Sequence, residues 1–338
     1  MRPTLLLDPH FRETKVIFSP DDLARVRSAA SVVWGRDEPI PEDELQKLAP
    51  DVEIIVTAQW RHGDLARFPK LRAILEVSGG FPSPATLNYP ACFSRGIRVL
   101  SCAPAFGPAV AEMALGLAIA AARQIAWTDR KFRTGEPNWS HTSFDTAIGE
   151  PFTHYGKQVG FIGFGGLARA LRPLLDPFAC PIQVHDPWLT DTHLRREGVA
   201  PVGIETLLST SRFIYVLAVP SAENRAFLDR SRLQLIRPDA VFVLMSRAHV
   251  VDFDALTEML LAGRFRAGID VYPNEPIAAD HPIRRAEHAV LSSHRAGANA
   301  EALHGVGQGV ADDVEALAGG RVPFAMQHAQ PEFIRLRG

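Results

Sequence analysis

The chain has 338 residues, which suits two domains that each bury a core of their own. Its 36 basic and 38 acidic side chains leave a formal net charge of -2, so there is no electrostatic case for nucleic acid or an anionic membrane as partner. Cys92, Cys102 and Cys180 show neither C-x-x-C spacing nor a metal-ligand pattern, so no metal is expected and a reduced, cytoplasmic setting is.

The first hundred residues alternate strand and helix signals. The short apolar run Thr4–Leu7 reads as a strand and is far too short for the apolar region of a signal peptide. Pro20-Asp21-Asp22 opens a helix through about Ala29, Ser31–Trp34 is a second strand, and Pro41–Leu48 is a helix with acids in its first turn. Val52–Val56, Ala73–Val77 and Ile97–Leu100 read as further strands. This β-α-β rhythm predicts a parallel, doubly wound sheet. Ser78-Gly79-Gly80 follows the carboxyl end of one strand, where such folds bind ligands. Pro104–Pro108 then breaks the chain ahead of one long, Ala-rich helix over about Ala109–Thr134. The apolar stretch Ala109–Ala122 is too short to span a bilayer. Thr134–Gly156, with Gly135, Pro137, Gly149 and Pro151, reads as loop.

A second β-α-β series begins at Lys157. Val159–Ile162 is a strand, and Gly163-Phe164-Gly165-Gly166-Leu167-Ala168 turns from it into a helix. A further apolar run, Ile182–His185, ends at Asp186. Strand, G-x-G-x-x-[GA], helix, strand and acid make the dinucleotide-binding fingerprint in its confirming context. Gly163 permits the tight turn, and Gly165 lets backbone approach a pyrophosphate. Ala168 replaces the third glycine, and the helix N–H groups face the phosphates. Asp186 suits both ribose hydroxyls and repels a 2′-phosphate, which favours NAD over NADP. Later strands are expected at Phe213–Val219, Ala240–Leu244, Arg266–Val271 and Ala289–Leu291, with helices near 205–208, 231–236, 253–262 and 298–318.

Three side chains sit just past the carboxyl ends of those later strands: Arg247, Glu275 and His294. In a parallel sheet such loops converge on one crevice, so these residues can meet despite their separation. Reduction of a 2-oxo acid by hydride needs a cation for its carboxylate and carbonyl, and a proton donor for the developing alkoxide. Arg247 offers a bidentate fork. His294 can exchange a proton near neutral pH. Glu275 can fix its tautomer and favour its charged form.

From Gly156 to Gly297 the chain closely resembles the D-isomer-specific 2-hydroxyacid dehydrogenases. The resemblance is carried by the glycine fingerprint and Asp186, Ala218-Val219-Pro220-Ser221, Ser246-Arg247-Ala248, Asp270-Val271-x-x-x-Glu275-Pro276 and His294-Arg295-Ala296-Gly297. Upstream, Ser78-Gly79-Gly80, Arg95-Gly96-Ile97 and Ala109-Val110-Ala111-Glu112 match as well, the first seventy residues more weakly.

The resemblance implies an NAD-dependent oxidoreductase built from two doubly wound parallel-sheet domains flanking a cleft, one Rossmann-type and one flavodoxin-like. The substrate domain would comprise 1–103 and 299–338, and the NAD domain 104–298. His294 and Glu275 would be the acid/base pair, and Arg247 the substrate binder. Backbone N–H groups of Ser78, Gly79 and Gly80 would hold the substrate carboxylate. Pro220, Asp270 and Val110 would line the cofactor, Asp270 near the nicotinamide carboxamide and Val110 against the ring. A homodimer would form through the helix near 109–134. The implied substrate is a small 2-oxo acid such as glyoxylate or hydroxypyruvate, or a 3-phosphoglycerate-like hydroxy acid. Only a short tail after Gly319-Gly320 speaks against a feedback-regulated biosynthetic enzyme. Departures surround the expected pocket: Ala248 for Gly, Ser292-Ser293 for Thr-Pro, and Arg295 after the histidine. Arg295 reads either as a surface or salt-bridged arginine or as a second cation for an anionic substrate group. Formate- and phosphite-type dehydrogenases and non-catalytic NAD-sensing proteins are rival readings on the same scaffold.

Overall fold

The computed structural model describes residues 2–135 and 149–335. Five strands come first: β1 (Thr4–Asp8), β2 (Ser31–Trp34), β3 (Ile54–Thr57), β4 (Ala73–Glu76) and β5 (Arg98–Ser101). Seven follow: β6 (Val159–Ile162), β7 (Ile182–His185), β8 (Ala200–Pro201), β9 (Phe213–Val216), β10 (Val241–Leu244), β11 (Arg266–Ile269) and β12 (Ala289–Leu291). A last short strand, β13 (Gln327–His328), lies near the end.

The chain divides into two compact units, residues 1–107 with 297–338, and residues 108–296. In the first unit the sheet order is β13-β5-β4-β3-β1-β2. All neighbours pair in parallel except β13, which lies antiparallel on β5. In the second unit the order is β12-β11-β10-β9-β6-β7-β8, all parallel. Both are the doubly wound, mixed α/β class expected from the β-α-β rhythm, of flavodoxin-like and Rossmann-type order respectively. The antiparallel edge strand was not anticipated.

Each sheet has a core on both faces, because its strands are apolar on both sides. In the first unit Leu5, Leu7, Ile54, Val56 and Leu75 pack under Val306, Val310 and Val314 of the Ala300–Ala318 helix. Leu6, Ile55, Ile74 and Val99 pack on the opposite face with Leu45, Phe68 and Tyr89. In the second unit Ile214, Val216, Phe242 and Leu244 face one core. Val159, Phe161, Phe213 and Val243 face the other, with Ala111, Ala114, Ala118 and Ala121.

Helix starts follow ordinary capping chemistry. Ser19 accepts from Asp22 N ahead of Pro20 in the Pro20–Ala29 helix, and Asn299 accepts from Ala302 N at the start of Ala300–Ala318. Asn88 caps a helix, Tyr89–Ser94, that the sequence reading left out.

The long central helix is corrected by the structure. Instead of one helix over Ala109–Thr134 there are two, Ala103–Ala122 and Ile125–Arg133. Gln124 between them is left-handed at φ 59°, and its side-chain amide donates to Gly149 O. The end of the first helix is closed from elsewhere in the fold: Ala122 O accepts from Phe152 N at 3.1 Å and from the Arg266 guanidinium at 3.0 Å. The first helix also starts earlier than expected, with Pro108 inside it, and at 20 residues is long and apolar enough to cross a membrane by those measures alone. Its Ala111, Ala114, Ala118, Ala121 and Ala122 are built into the core of the second unit. Much of the expected 134–156 loop, Pro137 included, lies outside the described residues.

Candidate active site

The order of the second sheet reverses between β6 and its neighbours β7 and β9, and a doubly wound sheet binds its ligand at such a point. The glycine turn leaves β6 there. Gly163 sits at φ +89°, and a Cβ on it would lie 2.6 Å from Ala218 Cα, so both the conformation and the close approach demand glycine. A Cβ on Gly165 or Gly166 would meet nothing within 4 Å, and both glycines are exposed. Ala168 is buried behind the turn, and Leu167 packs partly against the same core. The Gly166–Leu175 helix starts at Gly165 with no side-chain cap, so no side chain competes for its first N–H groups. The hydroxyl of Ser246, just beyond β10, is buried without a hydrogen-bond partner among the described residues. An open glycine cradle, an uncapped helix start and a waiting hydroxyl fit a dinucleotide.

Asp186 directly follows β7 and accepts from Phe164 N at 2.8 Å and Trp188 N at 2.9 Å. The carboxylate thus braces the glycine turn itself. Each oxygen still has a lone pair for a ribose hydroxyl. Pro220 and Val110 are both half-buried, Val110 against the core of the second unit.

Arg247 follows β10 in extended backbone and is exposed. Its guanidinium donates to Ser246 O at 2.7 Å. Glu275 lies in the turn after β11. One carboxylate oxygen accepts from Tyr272 N at 2.9 Å, and the other lies 2.5 Å from His294 Nδ1. Burial alone pushes the Glu275 carboxyl up. The hydrogen bonds from His294 and Tyr272 N, with the His294 and Arg247 charges, outweigh it and hold the carboxyl below its usual range. An ionised carboxylate only accepts, so His294 carries a proton on Nδ1, which leaves Nε2 outside this contact. Burial first, then the Asp270 charge, push the Tyr272 hydroxyl up to about 12. It therefore stays protonated and donates to Ser292 O at 2.8 Å, tying this turn to the histidine strand.

His294 itself is left-handed at φ 54°. A non-glycine residue there costs about 1–2 kcal/mol and persists only where its surroundings dictate it. Asp270 does so. This carboxylate is 1% exposed and accepts from Arg295 N at 2.9 Å and Ala296 N at 3.2 Å, while its own backbone O takes His294 N at 2.8 Å. Three successive N–H groups around the histidine converge on one residue. Arg295 projects an exposed side chain for which no salt bridge is found among the described residues.

In the first unit, Ser78, Gly79 and Gly80 follow β4. Their donors are already engaged: Ser78 N and Gly80 N donate to the Glu76 carboxylate at 2.9 and 3.1 Å, as does the Ser78 hydroxyl. The sequence reading passed over Glu76 and gave Asp270 no part in holding the histidine turn. For Glu76, a charged residue ending an otherwise apolar strand is the available signal.

Residues 115–296 match the family model described as D-isomer specific 2-hydroxyacid dehydrogenase, NAD binding domain. That stretch is more than half of the chain. The chain belongs to this family. Its cofactor is NAD. The resemblance and the fold class drawn from sequence stand accordingly. A crystal structure titled as a phosphoglycerate oxidoreductase from Rhizobium etli has a TM-score of 0.81 and 34% identity, covering 97% of this chain and 99% of that one. D-3-phosphoglycerate dehydrogenase from Mycobacterium tuberculosis is 28% identical over 316 residues, 91% of this chain but 57% of that protein. The chain therefore spans about half the length of the mycobacterial relatives. Glyoxylate reductase from Pyrococcus horikoshii is 28% identical over 311 residues, 90% of this chain and 92% of that protein.

Proposed function

We propose that this family member is an NAD(H)-dependent oxidoreductase that interconverts a small 2-oxo acid and its D-2-hydroxy acid. The observation that carries the reading is the 2.5 Å contact between His294 Nδ1 and Glu275, on a turn that Asp270 holds. When bound, NAD(H) supplies or accepts the hydride. His294 Nε2 gives its proton to the carbonyl oxygen on reduction and takes it back on oxidation, and Glu275 keeps the ring in the required tautomer. Arg247 engages the substrate carboxylate and polarises the carbonyl through its fork of donors. The names of the relatives support a short 2-oxo or 2-hydroxy acid, with or without a phosphate. The test is NADH oxidation with glyoxylate, hydroxypyruvate and phosphohydroxypyruvate. Turnover of none of the three would remove the proposal.

Asp186 reads the ribose in this proposal. Asp186→Ala is expected to raise the NADPH-to-NADH ratio of kcat/KM by about ten- to hundredfold, the worth of one charge-assisted hydrogen bond. An unchanged ratio would show that Asp186 only braces Phe164 N and Trp188 N.

We also propose a homodimer through the 103–133 region. Ile125 and Phe132, seven residues apart and so on one face of the Ile125–Arg133 helix, are 52% and 67% exposed and would meet the partner chain. Light scattering is expected to give twice the 37.0 kDa chain mass, and Ile125→Asp with Phe132→Asp to halve it.

A further inference from the structure

At the carboxyl edge of the first sheet, β1, β3, β4 and β5 end on Asp8, Thr57, Glu76 and Ser101. These four share one register row and all are buried. They fall on the same face as Leu6, Ile55, Ile74 and Val99 two residues earlier. A row of buried polar groups is costly unless each is partnered. Asp8 is answered by the Arg61 guanidinium at 2.6 Å and the His62 ring at 2.9 Å. Glu76 is not. Its carboxylate, 1% exposed, is held by donors of the loop that follows it: Ser78 N at 2.9 Å, the Ser78 hydroxyl, and Gly80 N at 3.1 Å. Gly79, at φ +108°, bends that loop around the carboxylate, and a Cβ there would press to 3.2 Å from the Phe106 ring. The loop is a formed anion-binding nest whose anion is the chain's own.

These are the donors that a 2-oxo acid carboxylate needs if the reaction proposed above is correct, and the inference rests on that reading. Two ionised carboxylates cannot share one nest at hydrogen-bond range, so one of them must be neutral. A 2-oxo acid is far more acidic than a buried glutamic acid, so the proton goes to the protein. We propose that Glu76 is a proton-linked positioning residue: a substrate carboxylate enters the Ser78–Gly80 loop only as Glu76 takes up a proton and releases the loop's N–H groups.

The surroundings favour this exchange. Burial pushes the Glu76 carboxyl up to about 6, and the loop hydrogen bonds only partly oppose it. Cys102, whose N–H donates to Glu76 O at 3.0 Å, stays a neutral thiol, because burial and the Glu76 charge both push it up. Arg12 faces the loop from the turn after β1 and donates to Ser78 O at 3.3 Å. Thr57 and Ser101 flank Glu76 in the row as neutral groups, and the charge of Asp8 is met by Arg61 and His62.

The experiment is calorimetric titration of the NADH-loaded protein with oxamate, an unreactive 2-oxo acid analogue, in phosphate and in Tris, whose ionisation heats differ. Wild type is expected to take up about one proton more than Glu76→Gln at pH 8. Its affinity should fall by up to tenfold between pH 7 and pH 8 beyond any fall shared with the variant. Any proton taken by His294 is common to both proteins and cancels. Ser78→Ala removes one donor from the charged carboxylate and moves its titration further up, so the excess uptake at pH 7 shrinks. That second variant keeps the idea testable if Glu76→Gln does not fold. Binding to Glu76→Gln with none to wild type also supports the proposal. Equal uptake in wild type and Glu76→Gln, or unchanged uptake in Ser78→Ala, overturns it. Binding to neither overturns the assignment of the loop and the inference with it, whereas the reaction itself stands or falls separately on NADH oxidation.

Discussion

His294→Ala is expected to lower kcat by about 10²–10⁴-fold, the usual worth of a positioned general acid, while NADH binds as before. The second half of that expectation makes the result informative. His294 touches Glu275 and the Asp270 backbone, whereas the glycine turn and Asp186 lie on other strands of the sheet. Loss of the imidazole should leave the cofactor half intact, so NADH fluorescence enhancement supplies the internal control. Glu275→Gln should cost less, because an amide can still accept from Nδ1 but does so without charge. If His294→Ala keeps kcat within threefold of wild type, the acid/base assignment is wrong, whatever the substrate proves to be.

Asp270→Ala should be the most damaging change that removes no reacting group. Two consecutive N–H groups, the part-buried one of Arg295 and the buried one of Ala296, would lose their acceptors, and the left-handed backbone of His294 would lose the support that offsets its strain. We expect a stability loss of about 2–4 kcal/mol in urea unfolding, from two hydrogen bonds to a charged group. We expect kcat to fall by about 10²-fold, as a misplaced proton donor does. The family resemblance instead places Asp270 near the nicotinamide carboxamide. That role predicts weaker NADH binding with little loss of stability. Measuring NADH affinity and urea midpoint on the same variant separates the two.

The strand framework was legible because each run of four or five buried apolar residues allows few alternatives, and because glycine and acid bracket β6 and β7 at fixed spacing. What escaped depended on partners remote in sequence. Nothing between Ala122 and Ile125 disfavours a continuous helix. The break is made by Gly149, Phe152 and Arg266, which meet Ala122 and Gln124 across the fold. Strand β13 has only two residues and no alternation of its own; Asp313, fully buried, draws it in by accepting from Phe324 N, Ala325 N and Met326 N. The helix at Tyr89 is a different case: Asn88 followed by Pro90 is a start signal legible in the sequence itself. In the site, the candidates at strand ends could be listed from sequence. The bonds that aim them, from Asp270 to the histidine turn and from Glu76 to the glycine loop, run from carboxylates to backbone N–H groups, which carry no sequence signature.

The division of the first unit also bears on how the chain is made. Its sheet is complete in strands β1 to β5 by residue 101, but the helix that covers Leu5, Leu7, Ile54, Val56 and Leu75 is Ala300–Ala318. The whole of the second unit, about 190 residues, is translated in between. At ~5–20 residues per second, a nascent chain holds this apolar sheet face only part-covered, by Ile17, Phe18 and the Pro20–Ala29 helix, for about 10–40 seconds while its neighbour, continuous in sequence, can already close. Recognition by a chaperone would fall in that interval, and so would aggregation, which makes the alanine- and valine-rich face of the last long helix a determinant of yield as much as of stability.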